Sequence, residues 1–188
     1  SKMYAFLIYL FLYAPIVVLI IFSFNESRSR GTWGGFSLKW YQALFQDQTL
    51  MQAMYNTVLI AILSATIATV IGTIAAIAID GLDKWMQGIF MNVTYLPVLN
   101  PDIVTGVSLM LLFLMVKIHL GFHTLLLAHI IFNIPYVIIA VLPKLQNLNK
   151  YTMEAALDLG ATPLYTYWHV ILPQIKEGIL TGFLFAFT

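Results

Sequence analysis

Cysteine is absent from this chain of 188 residues, and charged residues amount to only 9% of it. The first absence excludes disulfides, thiolate metal sites and a cysteine nucleophile. The second excludes an ordinary soluble domain, in which about 25% of the residues are charged. Hydrophobic residues make up 61% of the chain, and the net charge of +1 without any basic run gives no indication of nucleic-acid binding. The composition therefore places the chain among the integral membrane proteins.

The short motifs of common catalytic sites are missing as well. The sequence contains no GxxxxGK(S/T) loop, so the chain cannot bind ATP by that route, and it has no GxSxG or HExxH pattern. His119 and His123 have the spacing of two metal ligands on one helical face, but Gly121 lies between them and no third ligand is evident. His129 falls in a hydrophobic segment, where we expect it to be hydrogen-bonded within a helical bundle. We therefore predict no catalytic residue, no metal site and no cofactor.

Five hydrophobic segments dominate the sequence, and a membrane-spanning helix needs about 20 apolar residues. They cover residues 3–24, 57–79, about 101–117, 124–142, and 178 to the last residue of the chain. The last segment holds only 11 residues, so we expect a truncated fifth span and a sequence that is a piece of a longer protein. The predicted fold is an all-α integral membrane bundle, with residues 1–188 as a single domain. The polar, aromatic-rich stretch 25–56 is predicted to be a loop at the membrane surface.

Residues 85–116 form an irregular segment whose only charge is Asp102. A straight helix of that length would be about 48 Å long, too long for a bilayer without extreme tilt. Pro97, Asn100 and Pro101 interrupt it, and proline disfavours helix in the residue before it. We therefore predict a broken or re-entrant segment, with a partly inserted piece at 85–95 followed by the third span.

Asp102 itself admits two interpretations. A carboxylate in hydrocarbon costs about 2.5–3.5 kcal/mol on insertion scales, so it is expected to face a cavity or a partner. It could be an N-cap or first-turn acid stabilised by free backbone N–H groups. It could instead lie on a path for cations together with Asn100, as in a channel or secondary carrier with an ion site at this break.

The second span carries small residues at intervals of about four, which form a ridge that another helix can approach closely. This ridge is compatible with ordinary packing inside the bundle and with a central interface between two subunits. Its members are Ala61, Ser64, Ala65, Ala68, Thr69, Gly72 and Ala76.

Residues 143–177, which we call the polar segment, are predicted to form two short helices. The first covers 151–159, with Thr152 as its N-cap and Gly160 ending it in a left-handed conformation. Thr162 is the predicted N-cap of the second, with Pro163 at the first helical position, where its missing N–H does no harm. This second helix is expected to end at the Leu-Pro pair before the fifth span.

A docking surface is expected on the first of these helices. Small side chains at Ala155 and Ala156 would let another surface come close, while Glu154 and Asp158 offer charges for a partner's Arg or Lys. The spacing resembles a family signature: Glu-Ala-Ala, three residues, Gly, nine residues, Ile, any residue, Leu-Pro. This sequence has it in register from Glu154 to Pro173, with Val170 in place of the isoleucine.

This pattern is similar to that of the membrane permease subunits of binding-protein-dependent ABC importers, and the likeness extends over essentially the whole chain. Within the family, the Pro-Asp-Ile-Val run at 101–104 most resembles the second permease subunit of spermidine/putrescine importers. The resemblance implies that the polar segment is cytoplasmic and couples to an ATPase subunit. The docking residues it implies are Glu154, Ala155, Ala156, Asp158, Gly160 and Pro163.

The resemblance implies further expectations about partners and topology. The chain would lie in a bacterial cytoplasmic membrane, N-terminus inside and residues 25–56 outside. Its partners would be two cytoplasmic ATPase subunits, a second homologous permease and an external solute-binding protein. A polyamine would cross by alternating access, with Asn100 and Asp102 on its path, and ATP hydrolysis would belong to the separate subunit. Two other functions stay open: a secondary carrier or channel, and a structural membrane-assembly protein.

Overall fold

The protein was analysed as a computed structural model that describes residues 2–29, 31–149 and 151–188. These residues are almost entirely helical and contain no strand beyond an isolated bridge between Asn25 and Phe36. The helices are α1 (Lys2–Ser23), α2 (Lys39–Gln46), α3 (Gln48–Asp80), α4 (Lys84–Leu99), α5 (Asp102–Met115), α6 (Phe122–Gln146), α7 (Tyr151–Asp158), α8 (Pro163–Thr166) and α9 (Leu172–Phe187), with a π-turn at Tyr167–Ile171. Four helices are long and apolar enough to cross a membrane, or five if the bent pair α4–α5 is one span. The predicted all-α membrane fold is confirmed.

Two compact units divide the chain, the first from Ser1 to Tyr55. Within it, the turn after α1 is organised around the buried side chain of Asn25. The Asn25 amide donates to the Thr32 carbonyl at 2.8 Å and accepts from the Gly34 N–H at 2.7 Å. The Trp40 indole N–H donates to the Asn25 carbonyl at 3.0 Å. The stretch predicted as a surface loop therefore has a fixed conformation.

That stretch is also more helical than predicted, since it contains α2 and the first turns of α3. The start of α3 lies nine residues before the predicted span, at Gln48. Asp47 caps it: its Oδ1 accepts from the N–H groups of Thr49 and Leu50 at 2.9 and 3.1 Å. Polar residues such as Gln48 do not oppose helix formation. Hydropathy therefore indicates where lipid contact begins, and the cap decides where the helix begins.

The second unit, Asn56–Thr188, has its core where α3, α6 and α9 meet. Val137 of α6 is fully buried between two glycines. A Cβ atom added at Gly72 of α3 would lie 2.7 Å from Val137 Cβ, and one added at Gly182 of α9 would lie 3.1 Å from Val137 Cγ1. All members of the small-residue ridge except Ala61 are buried in this way. Ordinary packing inside the bundle is confirmed for this ridge.

A polar junction ties the same three helices together. The buried Asn133 amide of α6 donates to the Ala186 carbonyl of α9 at 2.7 Å and to Ser64 Oγ of α3 at 3.5 Å. Such hydrogen bonds between helices contribute about 0.6 kcal/mol on average in membrane proteins. Their direction fixes the rotation of each helix about its own axis.

The predicted break is confirmed at Asn100 and Pro101, where α4 and α5 meet at 101°. The helix before it is longer than predicted, because α4 continues through Pro97 to Leu99. Pro101, rather than Pro97, therefore marks the point at which the chain turns.

The predicted end of the second short helix at Leu172 and Pro173 is wrong. Helix runs without interruption from Pro163 to Phe187 through α8, the π-turn and α9. Pro173 is expected to end a helix, since a proline ring clashes with the carbonyl four residues earlier. In the structure the Leu172 N–H bonds to the Tyr167 carbonyl five residues earlier. This wider turn lets the helix continue through the proline.

Candidate functional site

The two ends of the polar segment lie in α6 and α9, and these helices pack closely against each other there. A Cβ atom added at Gly178 would lie 2.8 Å from Lys144 Cγ and 3.2 Å from the Ala140 carbonyl. Lys144 Nζ and Glu177 Oε2 form an ion pair of 3.1 Å at the same level. Both side chains are well exposed, and such pairs contribute about 0–1 kcal/mol. The glycine contact, more than the ion pair, therefore holds the ends of the segment together.

The first helix of the segment begins at Tyr151 as predicted, but its cap differs from the prediction. Thr152 is not its N-cap, because α7 already includes Tyr151. The Asn149 side-chain oxygen accepts from the Tyr151 N–H at 3.1 Å. Asparagine is as good a capping residue as threonine, and it lies three positions earlier in the sequence.

The turn between α7 and α8 agrees with the prediction. Gly160 has φ of +85°, in the left-handed region. Its N–H donates to the Leu157 carbonyl at 2.9 Å, and the Ala161 N–H donates to the Ala156 carbonyl at 3.1 Å. This pair of hydrogen bonds is a Schellman motif, which ends a helix at a left-handed glycine. The glycine thus determines the direction in which the chain leaves α7.

The start of α8 also agrees with the prediction. Thr162 Oγ1 accepts from the Tyr165 N–H at 3.3 Å, and Pro163 is the first helical residue. Thr166 is fully buried, and its hydroxyl donates to the Thr162 carbonyl at 3.1 Å. One side of this turn is therefore anchored inside the protein while the other faces outward.

The outward side contains the predicted docking residues. Five of them are exposed and Ala156 is half-buried; the exposed ones are Glu154, Ala155, Asp158, Gly160 and Pro163. Two of them, Ala156 and Gly160, line a shallow depression of about 550 Å³ together with Leu159 and Tyr165. Leu159 is 89% exposed. Apolar side chains exposed outside the spans are typical of an interaction surface.

Leu159, the most exposed apolar side chain of this surface, is missing from the predicted docking residues. Leu159, Leu164 and Trp168 are all well exposed, although composition alone would assign them to a core. The exposure of Leu159 could have been predicted from its position directly before Gly160. The helix ends at this glycine, so no further turn of the same helix covers the leucine.

The break between α4 and α5 separates the two predicted solute-path residues. Asn100 ends α4, where its N–H donates to the Leu96 carbonyl at 3.2 Å. Asp102 is the first residue of α5, as the first-turn interpretation requires, but its carboxylate makes no capping hydrogen bond. It lines a cleft of about 670 Å³ between α5 and α6, and Asn100 does not.

His129 lies in the same cleft, which sequence reasoning did not foresee. Its Nδ1 lies 2.8 Å from the Leu125 carbonyl, so the hydrogen bond of this exposed side chain is to its own helix and not to another helix of the bundle. Asp102 and His129 are the only titratable side chains that line the cleft. His119 and His123 lie beside Leu120, Gly121 and Thr124, at the end of the cleft nearest the α5–α6 turn. Among the described residues, no group of three side chains could hold a metal ion.

These features define a class: a multi-pass helical membrane protein with an exposed apolar surface between two spans and a polar break within another. The family model described as binding-protein-dependent transport system inner membrane component matches residues 68–188, and the chain belongs to this family.

Curated relatives cover nearly the whole chain. The spermidine/putrescine transport system permease protein PotC of Haemophilus influenzae is 39% identical over 185 residues, which cover 98% of this chain and 72% of the relative. PotC of Escherichia coli K12 is 37% identical over 181 residues, 96% of this chain and 69% of the relative. The putrescine transport system permease protein PotI of the same organism is 39% identical over 186 residues, 95% and 66% of the two chains.

The chain is thus a permease subunit of an ABC importer and resides in the cytoplasmic membrane as a multi-pass protein. A subunit of this kind is a transport component and not an enzyme. It works with an ATPase, another permease and a binding protein.

Proposed function

We propose that this permease subunit moves a polyamine, such as spermidine or putrescine, into the cell by alternating access. The observation that carries the proposal is the 39% identity over nearly the whole chain to relatives that are named for these two solutes. The cleft beside the break supports it. Asp102 places a carboxylate at an apolar wall, where it would stabilise an ammonium group that has left water.

The proposal includes a topology and a subunit composition. Residues 1–188 form one permease domain, with the N-terminus and the polar segment in the cytoplasm and residues 25–56 outside. Two ATPase subunits and a second, homologous permease complete the complex, and the external binding protein delivers the solute. The exposed apolar surface around Gly160 supports the cytoplasmic placement, because a surface of this kind requires a protein partner and the ATPase is on that side.

Reconstituted transport tests this function. Full-length permease, its permease partner, the ATPase and the binding protein are placed in proteoliposomes, and uptake of radiolabelled spermidine and putrescine is measured. We expect accumulation that requires both ATP and the binding protein. Uptake that persists without ATP would support the carrier or channel interpretation, and accumulation of a different solute class would refute the polyamine assignment.

Charge reversal at Glu154 is expected to release the ATPase. The side chain is exposed on α7 beside the proposed docking depression, and like charges at an interface weaken binding by several kcal/mol. We expect Glu154→Arg to reduce the ATPase recovered with the affinity-purified permease at least tenfold. Glu26→Arg, an equally exposed acid outside the polar segment, serves as the matched control. Equal recovery from both variants would show that α7 is not the docking element.

Neutralising Asp102 is expected to weaken solute binding and leave assembly unchanged. Hydrogen bonds to charged groups contribute about 1.5–3 kcal/mol, so Asp102→Asn should raise the KM for polyamine uptake about tenfold or more. Asp83→Asn makes the same chemical change at the N-cap of α4, where asparagine caps equally well. Unchanged uptake by Asp102→Asn would leave that residue as a first-turn acid without a role in transport.

A further inference from the structure

Among the described residues, one ring nitrogen of His129 is hydrogen-bonded to the protein, and the other is not. A carbonyl oxygen only accepts hydrogen bonds, so Nδ1 must carry the proton that it shares with the Leu125 carbonyl at 2.8 Å. In the neutral ring this leaves Nε2 as an acceptor. The structure gives Nε2 no hydrogen-bond partner within residues 2–29, 31–149 and 151–188. The cleft therefore offers a second acceptor in addition to the Asp102 carboxylate.

The two acceptors lie at different depths in the cleft. α5 and α6 are joined by a short turn at residues 116–121 and run back along each other. Asp102 is the first residue of α5, about 20 Å from the turn, and His129 is in the second turn of α6, about 10 Å from it at ~1.5 Å per residue. The depth difference is about 10 Å.

The wall between these acceptors is apolar. At the depths between them, Gly106 of α5 and Phe132 of α6 line the cleft, and the other apolar lining residues lie nearer the turn. The Thr124 hydroxyl, the other polar group of the lining, is buried and already bonded to Gly121, from whose N–H it accepts at 2.8 Å. A bound molecule can therefore form hydrogen bonds at two separated points and meets only hydrocarbon and aromatic surface between them.

We propose that this cleft selects solutes that carry two amino groups joined by a methylene chain, with Asp102 binding one ammonium and His129 Nε2 accepting a hydrogen bond from the other. The inference rests on the proposed polyamine function and adds a specificity-determining residue to it. A monoamine satisfies only the Asp102 carboxylate, whereas a diamine satisfies both groups while its methylenes contact Phe132. His129 thereby distinguishes diamines from monoamines.

Binding of two probes to the assembled importer in nanodiscs tests this inference. Isothermal titration gives the Kd of 1,4-diaminobutane and of butylamine for the wild type and for His129→Leu. We expect the wild type to prefer the diamine. The leucine variant should weaken diamine binding about tenfold, the usual effect of losing one hydrogen bond to a charged group, and leave butylamine binding unchanged. His129→Gln retains a side-chain acceptor and should restore most of the preference.

Leu127→Ala is the matched control, since Leu127 is similarly exposed on α6 but does not line the cleft. A ratio of diamine to monoamine affinity that is the same in the wild type and in His129→Leu would overturn the inference. So would a glutamine variant that behaves like the leucine variant while both keep the wild-type melting temperature. Failure of the wild type to accumulate any polyamine would instead overturn the proposed function, so the two failures are distinguishable.

Discussion

Replacing Gly160 by valine is expected to abolish most transport while the protein still inserts and assembles. Gly160 has φ of +85° and is the left-handed residue of the Schellman motif that ends α7. The left-handed conformation costs a residue with a Cβ atom about 1–2 kcal/mol. Because α7 has only eight residues, its last turn would unwind and reposition Leu159 and the docking surface. We expect ATP-dependent uptake to fall more than tenfold while ATP hydrolysis continues without transport.

The controls separate backbone strain from loss of space. No atom lies within 4 Å of a Cβ added at Gly160 or at Gly88, so neither valine would cause a clash. Gly88→Val lies in α4 at a helical φ and should transport normally. Gly160→Asn should retain most of the activity, because asparagine tolerates the left-handed region. Normal uptake by Gly160→Val would show that this turn has no part in coupling.

Replacing Gly72 by valine is expected to cause the largest loss of stability. A Cβ atom at this position would lie 2.7 Å from Val137 Cβ and 3.2 Å from the Ile134 carbonyl. Overpacking a well-packed core costs about 1–3 kcal/mol, sometimes more, and here one obstacle is backbone that cannot rotate away. We expect a loss of about 3 kcal/mol or more, measured as a lower midpoint of denaturant-induced unfolding of the purified protein in detergent.

A double substitution tests whether Val137 is the cause. Gly72→Ala combined with Val137→Ala should be less destabilised than the sum of the two single changes, because the second substitution removes the atoms that the new Cβ meets. Gly106→Val in α5 is the matched control, since nothing lies within 4 Å of its added Cβ. Equal unfolding midpoints for Gly72→Val and Gly106→Val would contradict close packing of α3 on α6.

The sequence was most informative where the interactions are local. Gly160, Thr162 and Pro163 each act within five residues of their own position, through a left-handed φ, a side-chain cap and a missing N–H, respectively. Each of these can be predicted from residue type. The N-cap of α7 was misassigned by three positions, because Asn149 and Thr152 are both good caps and only the fold selects between them.

Prediction failed where a helix boundary depends on more than hydropathy. The start of α3 at Gln48 depends on the Asp47 cap, in a stretch too polar to be counted as a span. The helix that contains Pro173 depends on a π-turn, which leaves no clear mark in residue composition. Both errors come from treating a helix and its membrane-embedded part as the same segment.

The candidate cleft could be predicted only in part. Asp102 was identified from its charge, but Asn100, two residues away, diverges from it because α4 and α5 meet at 101°. His129 joins Asp102 only through the packing of α6 against α5. Twenty-seven positions separate these residues in the sequence, and no local pattern indicates that they share a cleft.

The uninterrupted helix from Pro163 to Phe187 has a mechanical consequence. At ~1.5 Å per residue it is a stiff rod of about 37 Å, with Thr162 and the docking depression at one end and the Ala186 carbonyl at the other. A displacement at Leu164 would be transmitted along its axis to the Asn133–Ala186 hydrogen bond through one irregular turn, Tyr167–Ile171. The π-turn is the irregular turn of this helix. Its five residues, Tyr167–Ile171, therefore determine how far the helix bends and how stiffly it transmits such a displacement.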